Sequence, residues 1–406
     1  MIFICSASQS RFVSYYAKGN RRMAARGGCR KWRILCRVRI VYADLETEWR
    51  GGQGQALLTV RMLQARGHEA ELVAVEGGVL ARRAAAEGMT VRAVGAHRRR
   101  WNAAREIRSI LRERGADIVF ANEPHALTAA WLARAHRRAA LIVARRVAYP
   151  IGEVPLAKAR YRAADRVFAI SQFVAESVVR SGISAERVAV VTEGTEIPAP
   201  RTEAERSAAR RAWNCSGSDF LFGCVGYLLP EKGQELLVRA MPAICAAAPH
   251  ARLLLAGDGP IRASLESLSL QLGVREHIVF SGFVERVNEV YAALDAFLFP
   301  SLEEPLGTSL LAAMAWGLPV AAVARGGVPE HVVDNRTGLL VPEPRPEFIA
   351  DAAVRLLGDR ELRERLGSEA RSAVLLRHSP DAIIDDFLRA CEDVMRSRRS
   401  RLGISA

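Results

Sequence analysis

Short apolar runs alternate with helix-length segments almost from one end of this 406-residue chain to the other. In the first half the runs are 36–43 (CRVRIVYA), 70–75 (AELVAV), 117–121 (DIVFA), 141–145 (LIVAR), 166–170 (RVFAI) and 187–191 (RVAVV). Between them lie amphipathic stretches such as 55–66 (QALLTVRMLQAR) and 102–114 (NAAREIRSILRER). Runs with little polar alternation suit strands buried on both faces, and a strand–helix–strand order makes such strands parallel. The second half repeats the architecture but not the sequence, with runs at 220–226, 252–256, 278–281, 296–299, 319–323 and 339–341. A chain this long exceeds one ordinary core. It reads as α/β, two Rossmann-like domains with parallel sheets facing across a cleft.

Composition places the boundaries. Residues 1–33 form a basic leader, expected to be disordered, and 34–195 a first domain. The polar, proline-marked segment 196–218 reads as a linker with one short helix. Residues 219–378 form a second domain. Residues 379–406 hold a last helix and tail, with Ile383, Ile384, Phe387, Leu388, Cys391 and Val394 on one side.

The net charge of +14 is concentrated in residues 1–43, which hold ten Lys or Arg and no Asp or Glu. Beyond them stand 48 basic against 44 acidic residues. A mildly basic body argues against a nucleic-acid partner, which needs a basic face on the domain itself. The opening MIFIC is too short for the apolar part of a signal peptide, and a basic arm on anionic lipid is the alternative to a disordered leader. The seven cysteines are scattered without a C-x-x-C, so neither a disulfide framework nor a zinc site is expected. A reducing cytoplasm fits that usage. Residues 305–324 carry no charge over a membrane-span length, but Gly317 and Pro319 divide them into a buried helix and a buried strand. The basic segment 97–115 (HRRRWNAAREIRSILRERG) reads as an outer helix packed on the sheet. Its livelier reading is peripheral contact with an acidic membrane surface.

In open α/β sheets ligands sit at the carboxyl ends of strands, against helix N-termini. Three strand-to-helix turns stand out. Gly51 and Gly52 follow the first strand, where small residues let backbone amides approach a ligand; Leu57 breaks the dinucleotide fingerprint G-x-G-x-x-G. Lys232 precedes Gly233 and a helix in VGYLLPEKGQELL, which puts an ammonium beside oriented amides, a place for phosphate. Glu304 follows the strand 296–299, with Gly307 and Thr308 opening a helix, so the carboxylate faces the same cleft and can receive sugar hydroxyls.

Residues 219–345 resemble the nucleotide-sugar domain of glycosyltransferase family 4, which has the two-domain GT-B fold. VGYLLPEKG, LLLAGDGP, FPSLEEPLGTSLLAAMAWGLPV and GGVPEHVVDNRTGLLVP occur in that family's order and spacing. The first half is similar to its acceptor domain through 51–74 and 164–196, and the likeness spans roughly residues 36–395. The resemblance implies a retaining transfer from a UDP-, GDP- or ADP-sugar to a glycan, polysaccharide or lipid-linked acceptor of the cell envelope. The enzyme would be cytoplasmic or peripheral on the cytoplasmic face of the membrane.

By position, Lys232 matches the lysine on the donor diphosphate and Glu304 the first glutamate of an E-x7-E motif, near the donor sugar. Gly51 and Gly52 match the glycine turn facing the donor phosphates. Tyr227, Gly257, Gly307, Thr308 and Ser309 complete the implied donor side. Asn122, His125 and Arg146 form the acceptor side, and Lys232, Glu304 and His125 are the implied catalytic group. Three positions depart from the family: an expected arginine is Tyr227, the second glutamate is Ala312, and an H-x-H is replaced by Phe120 and Asn122. Losing the second glutamate removes acceptors at a ribose, worth on the order of 1.5–3 kcal/mol for one charge-assisted bond. No cofactor is expected and no D-x-D is present to hold a divalent ion. Tyr227 and Ala312 also support a rival, a catalytically weakened nucleotide-sugar-binding or scaffold protein. A sugar-nucleotide epimerase on the same fold is a further rival.

Overall fold

The computed structural model describes residues 37–152 and 155–403; the expected leader, 1–33, lies outside them. The first sheet contains β1 (Arg39–Asp44), β2 (Glu69–Val75), β3 (Val91–Val94), β4 (Ile118–Ala121), β5 (Ala140–Arg145), β6 (Arg166–Ala169) and β7 (Val188–Val190). Its order is β3-β2-β1-β4-β5-β6-β7, parallel throughout. The second contains β8 (Phe220–Val225), β9 (Ala251–Ala256), β10 (Ile278–Gly282), β11 (Ala296–Phe299), β12 (Val320–Val323) and β13 (Leu339–Val341). Its order is β10-β9-β8-β11-β12-β13, again parallel. The α/β reading with two Rossmann-like domains therefore holds.

The central strands β4, β5, β11 and β12 are buried along their whole length, which is why they read as unbroken apolar runs. Strand β3, not foreseen from sequence, lies at the sheet edge. Its Arg92 pairs with Glu71 at 2.9 Å, so its outer face is polar and its run too short to stand out. The uncharged stretch 305–324 divides as expected into a helix, Thr308–Ala315, and β12. Among the described residues no helix is long and apolar enough to cross a membrane. The helix Arg99–Glu113 buries Ala103, Ala104, Ile107, Ile110 and Leu111 against the first sheet while Trp101 is 62% exposed.

Among the contacts that tie the halves together, three fix particular elements. Glu330 reaches the start of the helix Gln172–Arg180, accepting from Gln172 N at 2.8 Å and Phe173 N at 3.0 Å. Those amides have no partner inside their own helix, and a carboxylate there also meets the positive end of its dipole. His378 Nδ1 lies 2.9 Å from Glu193 O, and its Nε2 lies 3.1 Å from His331 Nδ1. A carbonyl can only accept, so His378 carries its proton on Nδ1 and His331 donates to it. Finally, the helix Pro380–Leu402 returns to the first domain. Its Phe387 ring packs 5.1 Å from Phe120 and 6.0 Å from Phe168, while Arg66 holds Asp381 and Asp385 at 2.7 Å.

Candidate functional site

Each sheet reverses its strand order once, between β1 and β4 and between β8 and β11. At such a point the flanking helices leave on opposite faces and open a crevice at the strand ends. The foremost expected residues follow these four strands. Gly51 and Gly52 come after β1, Asn122 and His125 after β4, Tyr227 and Lys232 after β8, and Glu304 through Ser309 after β11.

In the second domain the ammonium and the carboxylate meet. Lys232 Nζ lies 2.8 Å from Glu304 Oε2, and Glu304 Oε1 accepts from Gly307 N at 3.0 Å. Glu304 is 7% exposed, and its carbonyl accepts from Gly327 N at 2.7 Å. Gly326 is required there. Its φ is +59° and a Cβ would stand 2.1 Å from Glu304 O. An ammonium has three donors; Glu304 takes one and leaves two for another anion. Gly257, with φ +150°, lets β9 end against β8, since a Cβ there would lie 2.0 Å from Gly226 O. Tyr227, just beyond, is 59% exposed. Ala312 is half-buried, one turn after Thr308 on the same helix face.

The first domain brings a second helix start to the same place. The helix Gly51–Ala65 begins at the glycines themselves, so their value is the absent side chain. A Cβ on Gly51 would stand 3.6 Å from Thr308 Oγ1. The starts of Gly51–Ala65 and Thr308–Ala315 thus face one another, with backbone amides and positive dipole ends converging beside Lys232.

Beneath the glycines runs a buried polar network that the sequence does not announce. Asp44 accepts from Gln53 Nε2 at 3.0 Å and from Asn122 Nδ2 at 2.6 Å, while Tyr42 donates to Asn122 Oδ1 at 2.6 Å. Asn122 Nδ2 also reaches Gly52 O at 3.1 Å. Arg146 donates to Glu193 and to Asn122 O, with its Cδ 3.3 Å from where a Gly52 Cβ would be. Burial works against the Arg146 charge, but Glu193 and then Tyr42 and Asp44 outweigh it and raise the pKa. Asn122 and Arg146 are thus engaged within the protein under the glycine turn. Asp44, a carboxylate ending an apolar strand, is the one residue whose setting in the sequence could have hinted at this network.

His125 stands at the start of the helix Pro124–Leu132, capped by Glu123, which accepts from Leu45 N at 3.1 Å, from Ala126 N at 2.6 Å and from His125 N. Burial, and then the charge of Asp44, push the Glu123 carboxyl up to about 7 against those three amides. Burial first, and then Arg99, hold the His125 imidazole below its ordinary pKa, with Glu46 pulling the other way. His125 Nε2 is 3.8 Å from Glu46 Oε1. Glu46, Glu123 and His125 offer ligand atoms within 4.8 Å of one another. The amides that occupy Glu123 and the nearby arginines leave that trio poorly suited to a cation.

Both halves match known domains. Residues 205–373 match the model for "Glycosyl transferases group 1" and residues 50–194 that for a "Glycosyl transferase 4-like domain". An uncharacterized glycosyltransferase of Methanocaldococcus jannaschii is 36% identical over 193 residues, 47% of this chain and 49% of that one. The D-inositol 3-phosphate glycosyltransferase of Mycobacteroides abscessus is 30% identical over 247 residues, 58% of this chain and 54% of that one. The chain thus spans about half the length of these relatives. Among solved structures, Anabaena HepE in complex with UDP-glucose is similar with a TM-score of 0.76 at 20% identity, over 88% of this chain and 100% of that one. That likeness carries the fold.

Proposed function

We propose that this chain, a GT-B glycosyltransferase by both of its domain matches, moves a sugar from a nucleotide-sugar donor to a hydroxyl of a glycan or lipid-linked acceptor. The observation that carries this reading is Lys232, held by Glu304 where two helix N-termini face each other. Cleaving the bond from the anomeric carbon to a diphosphate leaves negative charge on the departing oxygen. Preorganised donors stabilise that charge more in the transition state than in the ground state. Lys232 and the amides at Gly51 and Thr308 are those donors, so no metal is needed. That Anabaena HepE binds UDP-glucose supports a nucleotide sugar as donor.

Glu304 orients the donor sugar, and Tyr227, Gly257, Gly307, Thr308 and Ser309 line the donor side. His125 faces the acceptor, while Asn122 and Arg146 set the floor beneath the glycines. We read the transfer as retaining. The new bond forms on the face the diphosphate leaves, and the acceptor proton passes to the departing phosphate oxygen. Work at the cytoplasmic face of a membrane fits a lipid-linked acceptor.

A thermal-shift panel of UDP-, GDP- and ADP-sugars tests this, because ligand bound to the native state raises its melting temperature. At least one donor should stabilise the parent chain and fail to stabilise Lys232→Ala. Turnover should persist in excess EDTA. No shift with any donor, or equal turnover by Lys232→Ala, would sink the reading. Donor binding without turnover would favour the weakened binding protein that Ala312 and Tyr227 allow.

A further inference from the structure

Around His125 the first domain gathers guanidinium groups that, among the described residues, no carboxylate neutralises. The helices Arg99–Glu113 and Pro124–Leu132 pack side by side and run the same way from the carboxyl edge of the sheet. Near their far ends Arg108 Nη2 donates to Leu132 O at 2.7 Å. Both helices rise about 1.5 Å per residue, so stepping back eight residues along each brings Arg100 level with Pro124. That puts Arg99 and Arg100, in the first turn of their helix, at the level of His125, where the charge of each acts on its imidazole. From the other flank the helix Pro155–Ala163 supplies Arg160, whose Nη1 donates to Thr128 Oγ1 at 2.6 Å, one turn from His125. The Nε of Arg160 is buried and has no partner among the described residues.

Elsewhere some half-buried arginines are matched by carboxylates, while Arg108, Arg166 and Arg187 bond to main-chain carbonyls. Arg92 holds Glu71 at 2.9 Å and Arg398 holds Asp165 at 2.9 Å. Among the described residues Arg99, Arg100 and Arg160 have no ion pair, and the acidic groups facing His125 are Glu46 and the amide-bound Glu123. Like charges brought together from two helices at a cleft mouth repel one another, and a half-buried guanidinium without a counter-ion is costly. A ligand dianion reverses both terms, and planar guanidinium forks match phosphate oxygens in pairs.

We infer that the acceptor carries a phosphate group, which Arg99, Arg100 and Arg160 hold so that the hydroxyl to be glycosylated reaches His125. The inference rests on the transferase reading and names the acceptor's chemistry. A single carboxylate would leave most of the positive charge unmatched, whereas a phosphate monoester nearly balances it. The phosphate belongs either to a soluble ester or to a lipid headgroup.

The test uses the full chain at constant ionic strength, with glucose 6-phosphate and glucose as paired probes. Glucose 6-phosphate should bind and glucose should not. The affinity should fall at least about tenfold in Arg99→Gln/Arg100→Gln and in Arg160→Gln, the loss of one charge-assisted bond. Lys232→Ala should leave it unchanged, which separates this site from the donor's. Flotation with phosphatidic-acid vesicles against pure phosphatidylcholine vesicles then assigns the source. Flotation that the arginine variants abolish means a lipid headgroup; binding of glucose 6-phosphate alone means a soluble ester. Equal affinity for glucose and its phosphate, or full affinity in both arginine variants, overturns the inference. Either variant suffices if the other fails to fold. Failure of every donor to bind would instead strike the transferase reading and leave the phosphate result standing.

Discussion

Lys232 and Glu304, 72 residues apart in sequence, form a 2.8 Å ion pair at the mouth of the cleft. The lysine follows β8 and the glutamate follows β11, the two strands at which the second sheet reverses its order. Lys232 is about a third exposed, so the pair itself adds little to stability, about 0–1 kcal/mol. Its expected value is catalytic. Lys232→Ala should lower turnover by roughly 10²–10³-fold while moving the melting temperature only slightly. Steady-state rates beside a thermal melt check this, and an unfolded variant or an unchanged rate would contradict it.

Gly326→Ala should slow the reaction without removing any charged group. The new Cβ would meet Glu304 O at 2.1 Å from a backbone at φ +59°, so Glu304 must move off Lys232. Such overpacking and strain cost about 1–3 kcal/mol each. Denaturant unfolding should show that loss, and turnover should drop at least about tenfold if the displaced carboxylate no longer orients the donor. A stable variant with the parent rate would mean that Glu304 tolerates displacement.

The residues legible in sequence are those whose signal is local. Lys232, Glu304, Gly51 and Gly52 each follow an apolar run and open a helix, so the turn itself announces them. Ile383, Phe387 and Cys391 likewise reveal one face of the last helix, but not that it packs on Phe120 and Phe168 of the first domain. The network of Tyr42, Asp44, Asn122, Arg146 and Glu193 joins residues from 42 to 193. Nothing near any one of them specifies its partner. Strand β3 was hidden because an edge strand with one polar face lacks the apolar run that marked its neighbours. Nothing in VPEHVV marks its acidic residue, and only the folded chain shows Glu330 on another domain's helix.

Glu330→Gln should loosen that clasp. The carboxylate holds the amides of Gln172 and Phe173, and hydrogen bonds to a charged group contribute about 1.5–3 kcal/mol each. A carboxamide keeps one acceptor and no charge. Amide hydrogen exchange over 172–180 should quicken, with the helix Pro124–Leu132 unchanged as the internal reference. Equal protection in parent and variant would show that Ser171, whose hydroxyl accepts from Val174 N at 3.2 Å, caps the helix unaided.

Stability should decline in mild acid through His378. Burial, against the pull of the Glu193 carbonyl, lowers its pKa from the ordinary 6.5 to about 4, and burial lowers His331 in the same direction. The folded state therefore favours the neutral imidazole. That contribution is fully present above pH 6.5 and is lost as the pH falls through 4. Lowering it from 6.5 to about 4 corresponds to about 3 kcal/mol. His378→Gln, with an amide that can still donate to Glu193 O, should flatten the pH dependence of unfolding between 6.5 and 4. The same slope in parent and variant would place the acid sensitivity elsewhere.

Ala312→Glu should tighten donor binding. Ala312 lies one turn after Thr308 on the helix face that looks toward Gly51, and it is only half-buried, so a longer side chain can extend toward the cleft. In the resembled family a glutamate at this place holds the ribose hydroxyls of the donor. If the nucleotide lies here as proposed, a restored carboxylate adds a charge-assisted hydrogen bond and lowers the donor's Kd by roughly ten- to a hundredfold. Calorimetry with the nucleoside diphosphate measures this directly, and the gain should vanish for the 2′,3′-dideoxy nucleotide, which has no hydroxyl to donate. An equal gain for both nucleotides would mean that the new carboxylate acts elsewhere, and no gain would mean that the ribose lies away from the face of Thr308.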